Sequence, residues 1–206
     1  MSYPTLIASI PIELIASGLM LGLACRRFRG GEPGKIGYLS ALLGGAGLID
    51  CLSHILPLIP QLPALFPSSL ARMLTALCLT FFFLLLFQEG TAGSDNRTLT
   101  LAADACAGLR MLMCITSANN WTGTAVLPFW AEIRTALLFV LGLLTVSVWF
   151  LRRRERSRVW LFAGLTLILC IPPELYGTES GVLALMLALS LAAAAATAVR
   201  ADRTAA

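Results

Sequence analysis

The chain has 206 residues, of which 58% are hydrophobic and only 13% charged, and it carries a formal net charge of +4. Its mean hydropathy is +0.84. Soluble domains carry about 25% charged residues, so a water-soluble fold is excluded and residues 1–206 read as one all-α, polytopic transmembrane domain.

In chain order, seven apolar segments are predicted as spanning helices, roughly 5–25, 36–58, 69–87, 98–116, 129–151, 158–173 and 181–199. A spanning helix needs about 20 apolar residues, with a range near 17–25. The opening MSYPTLIAS has no basic n-region, so the first segment is expected to stay as a helix rather than be cleaved. Gly18 and Gly22 form G-x-x-x-G in it, and Gly37, Ala41 and Gly45 continue the spacing in the second. Small residues at that interval suit close helix approach, expected here between neighbours of the same chain. Gly30-Gly31-Glu32-Pro33-Gly34 reads as a turn between the first two spans.

The fourth segment is interrupted by Asp104 and Arg110, and charge placement decides whether it crosses. Arg26, Arg27, Arg29 and Lys35, the five arginines of RRRERSR, Arg97, Arg200 and Arg203 make twelve of the fifteen basic residues. With seven spans all of these loops share one side. Basic loops stay cytoplasmic, which predicts an N-terminus outside, a C-terminus inside and a multi-pass location in the cell membrane (the inner membrane in a bacterium). The opposite loops hold no Lys or Arg but do hold Trp121, Trp130 and Tyr176, which favour the headgroup level. Asn120-Trp121-Thr122 matches a glycosylation sequon on that side. Pro172 and Pro173 stop the short sixth span. The seventh, alanine-rich, suits a place between larger helices. Shared features of spans one and five and of spans two and six permit a parallel 3+1+3 repeat, although topology alone generates much of that likeness.

Six cysteines, Cys25, Cys51, Cys78, Cys106, Cys114 and Cys170, lie in or beside apolar segments without C-x-x-C, and read as small packing residues. His54 is the only histidine. Zinc sites draw on several converging His, Cys or carboxylate ligands, so no metal site is expected, nor bis-histidine haem. The one lysine, Lys35, lies in a loop and offers no retinal anchor. No P-loop, H-E-x-x-H or G-x-S-x-G is present. No cofactor, catalytic residue or nucleic-acid partner is therefore expected, and the arginine clusters read as topology signals facing anionic lipid.

The informative residues are the ionisable ones inside the spans. At 1.5 Å per helical residue, Glu13, Asp50 and Arg110 lie about 9–12 Å below the outer surface, on three different helices. His54, Arg72, Arg134 and Glu174 lie nearer that surface, and only Asp104 sits at comparable depth in the inner half. An arginine at the centre of a span costs about 2.5–3.5 kcal/mol, so Arg110 is expected to pair with Glu13 or Asp50. Together Glu13, Asp50, His54, Arg72, Arg110, Arg134 and Glu174 are the candidate lining of an outward-facing cavity. Its occupant would be a small polar or anionic ligand, or a lipid headgroup. Asp50 and His54, four residues apart, share a helix face and could relay a proton. Two other classes remain: an accessory or sensor subunit working through a membrane or cytoplasmic protein partner, and a lipid-processing enzyme with Glu13, Asp50 or His54 as acid or base.

Overall fold

The structure is a computed structural model that describes residues 3–31, 33–55, 68–91, 97–118, 130–151 and 181–205. They form α1 (Tyr3–Arg29), α2 (Gly34–Ile55), α3 (Ser68–Thr91), α4 (Arg97–Ala118), α5 (Trp130–Leu151) and α6 (Gly181–Ala205), with no strand among them. Each coincides with an apolar segment of the sequence. The expected span 158–173, with Cys170, Glu174 and the sequon, lies outside the described residues.

Three stretches are helical, long and apolar enough to cross a membrane: Ala8–Arg29, Gly34–Leu52 and Arg97–Ile115. The doubtful fourth segment is one of the three, its two charges notwithstanding. α3, α5 and α6 contain shorter apolar runs, Met73–Gln88, Ala136–Ser147 and Leu191–Arg200.

The helices pack as a layered row. α1 lies between α2 and α6, α2 reaches on to α3, and α3 packs against both α4 and α5, which also touch each other. α1 and α2 are antiparallel, because the turn between them reverses the chain. Gly31 takes φ 82° there, a left-handed conformation in which a side chain would be strained, and its N–H closes the end of α1 on Phe28 O at 3.3 Å. Phe28 and Tyr38 meet edge to face beside the turn, with ring centroids 5.2 Å apart.

Of the glycines expected to bring α1 and α2 together, Gly37 does so, a β-carbon there lying 3.3 Å from Arg27 Cβ, but the tightest approach falls at two others. A β-carbon at Gly44 would lie 3.0 Å from Met20 Cβ, Leu21 Cγ and the Ser17 carbonyl oxygen, and one at Gly47 would collide with Ser17 Oγ. Gly18, Gly22 and Gly45 have open space at the same position, and the first two are exposed on the far side of α1. The reason is that α1 turns its polar stripe inward: Ser9, Glu13 and Ser17, four residues apart, are all buried, which sends Gly18 and Gly22 outward.

Phe82, Phe83 and Phe87 of α3 fill the centre with Leu138 and Leu141 of α5. Ala194 and Ala195 of α6 are completely buried in the same cluster, although among the described helices α6 packs chiefly on α1, at the end of the row, rather than between two larger helices. Cys51 and Cys114 are buried and Cys78 and Cys106 partly so, in keeping with packing roles, whereas Cys25 is exposed.

Candidate functional site

Two buried polar groups lie on opposite sides of the α2–α3 seam. The first belongs to α1 and α2. Glu13, only 5% exposed, and the half-buried Asp50 are both within electrostatic reach of the Cys51 thiol. Cys51 is fully buried and lies against the Ile10 carbonyl, Sγ to O 3.8 Å. Glu13 and Asp50 therefore share one interhelical layer, as their sequence depths predict. Ser17, one turn from Glu13, presses its hydroxyl into the notch left by Gly47.

The second group belongs to α3 and α4. Arg110 is fully buried, the largest side chain among the described residues to be so. Its Nε–H donates to Thr80 Oγ1 at 2.9 Å, and the Thr80 hydroxyl donates in turn to the Ala76 carbonyl at 2.7 Å. A hydroxyl has one proton and two lone pairs. With the proton committed to Ala76, a lone pair faces the guanidinium, and the two bonds polarise each other in the same sense. Arg110 is thus turned inward, as expected of a charge in an apolar helix. Its α4 packs on α3 and α5, however, and the acids sit on α1 and α2, so the contact seen for Arg110 is to α3 rather than to either acid.

The remaining candidates are only partly visible. The backbone at His54, Arg72 and Arg134 belongs to α2, α3 and α5, but their side chains, and Glu174 altogether, fall outside the description. Among the described residues no group of three or more His, Cys, Asp and Glu side chains could hold a metal ion.

Sequence reasoning missed a third polar cluster. Asp202 near the end of α6 is buried, at 2% exposure, and forms ion pairs with Arg26 and Arg27 at the end of α1. A lone acid within the basic run VRADR was the available signal. Because Leu191 lies beside Ser17 and Gly47 while Asp202 meets Arg26, α1 and α6 run in the same direction. Asp104 is placed differently from every other acid described, on the exposed face of α4.

Compared with known protein families, curated proteins and solved structures, the chain matches none.

Proposed function

We propose that this chain is a seven-helix transmembrane domain, N-terminus outside and C-terminus cytoplasmic, that binds a small anionic or zwitterionic group. The group is a free anion or a lipid headgroup, held in an outward-facing site. Arg110 and Thr80 form one wall and Glu13 and Asp50 the other, and His54, Arg72, Arg134 and Glu174 are assigned to the entrance from their sequence depth alone. The observation that carries this reading is the complete burial of Arg110 in a helix apolar enough to span a bilayer. An intramembrane charge of that kind marks a functional site by default, and guanidinium is the side chain best shaped for carboxylate or phosphate.

Topology has its own support. The Asp202 ion pairs bring the ends of α1 and α6 to one side, as an odd number of spans requires, and with basic loops inside that side is cytoplasmic. Binding is favoured over complete transport, because Asp104, the one acid deep in the inner half, faces away from the bundle and extends no polar path through it.

The test is thermal unfolding of the purified protein in detergent with inorganic phosphate, phosphocholine or succinate as probe. A ligand at 100 times its Kd stabilises by about 2.7 kcal/mol, so a clear rise in Tm is expected with at least one probe, and its loss in Arg110→Gln. No rise with any probe would leave Arg110 as a structural charge and defeat the proposal. The exposed Asp104 favours a second reading, an accessory subunit that works beside another membrane protein.

A further inference from the structure

α4 is the least covered of the three long apolar helices, with 28% of its span buried against 39% and 44% for the other two. Its open face has a regular order. Leu101, Ala105, Gly108, Leu112 and Ile115 are all exposed, and their spacing of four, three, four and three is the seam along which two helices wind around each other. Ala105 and Gly108 make the middle shallow; a β-carbon at Gly108 would meet nothing within 4 Å. Small residues flanked by large ones allow a second backbone to come close.

Asp104 stands on the edge of this seam. It is exposed, and among the described residues none is seen to hydrogen-bond or ion-pair with it. Seven residues separate it from Arg97 at the start of α4, a rise of about 10 Å. Lysine and arginine can snorkel over such a distance because their stems are long; aspartate has one methylene and cannot. Acids at membrane depth are found paired with one another or with bases. The shallow seam explains where a neighbouring helix would lie, and the carboxylate explains what that helix would carry.

We infer that the exposed face of α4 is the docking surface for one transmembrane helix of a partner protein that presents an arginine or lysine level with Asp104. A second copy of this chain fits less well. In a symmetric pair the two Asp104 carboxylates would lie at the same depth beside a shared axis, and like charges repel there. The inference rests on α4 crossing the bilayer, which the accessory-subunit reading shares, and does not depend on a ligand at Arg110.

The experiment uses the full chain, labelled and reconstituted in phosphatidylcholine vesicles. The probe is a synthetic Leu/Ala transmembrane peptide with a single Arg about 10 Å from one end, beside sister peptides carrying Gln or Leu there. Energy transfer reports association. The Arg peptide is expected to bind about tenfold more tightly than the Leu peptide, with the preference abolished by Asp104→Leu. Gly108→Leu, which fills the shallow centre, should weaken all three peptides while leaving the melting temperature unchanged. Equal binding of the three peptides, or an Arg preference that survives Asp104→Leu, overturns the inference. So does self-association of the protein that Asp104→Leu removes, since that would assign the face to a second copy. Loss of the phosphate or phosphocholine effect on Tm would leave it standing.

Discussion

The ion-pair cluster at the ends of α1 and α6 allows a prediction that separates three charges in one contact. The Asp202 side chain is 3% exposed, Arg27 30% and Arg26 62%. An exposed pair contributes about 0–1 kcal/mol, because water screens it and both side chains lose rotamer freedom. Stranding a buried charge costs about 3–5 kcal/mol. Arg26→Ala should therefore cost under about 1 kcal/mol. Arg27→Ala should cost more, about 1–2 kcal/mol, between those limits but nearer the lower one because Arg26 still pairs with the acid. The double replacement should cost about 3–5 kcal/mol, more than the two singles added, because only then is Asp202 left buried without a cation. Asp202→Asn in the double-arginine background should recover part of that loss by removing the stranded charge. The assay is reversible unfolding in mixed micelles, followed by far-UV circular dichroism against SDS mole fraction. Equal costs for the two single arginine variants, or strict additivity in the double, would refute the reasoning that burial of the acid sets the energy.

Other consequences can be checked in the same assay. Thr80→Val removes the acceptor of Arg110 Nε and should destabilise by about 1.5–3 kcal/mol, the range for a hydrogen bond to a charged group, whereas Thr80→Ser should retain most of it; equal losses would assign the effect to methyl packing. Gly44→Ala places a methyl 3.0 Å from Met20, Leu21 and the Ser17 carbonyl and should cost about 1–3 kcal/mol by overpacking. Gly18→Ala and Gly22→Ala, which meet nothing within 4 Å, should leave stability unchanged or slightly raised; a large loss in either would place those glycines in a packed interface.

The helices were legible because a spanning segment is a long apolar run with its own internal hydrogen bonds, and that property is local. Their limits moved outward where end residues found distant partners. α1 continues to Arg29 and α6 to Ala205, past the apolar runs, in the region where Asp202 engages Arg26 and Arg27. Burial of Glu13 and Arg110 could likewise be read from the cost of a charge in hydrocarbon. The hydrogen bond of Arg110 to Thr80 could not. Thr80 looks like any hydroxyl in an apolar helix, and its choice as acceptor depends on α3, not α1 or α2, being the neighbour of α4. That Gly18 and Gly22 face away from α2 has the same origin. G-x-x-x-G states that one helix face is shallow, but which face turns inward was decided by Ser9, Glu13 and Ser17. Had that four-residue polar interval been weighed against the glycines, it would have pointed to the correct side.

The parallel docking of α1 against α6 has a temporal consequence. α6 is synthesised after α1 to α5, so the α1 flank that it covers, down to Arg26 and Arg27, stays open until then, whereas Glu13 and Ser17 already meet α2. The α1–α2 hairpin closes early and the docking of α6 comes late, and chains halted before α6 should be recognisable to quality control by the uncovered flank of α1.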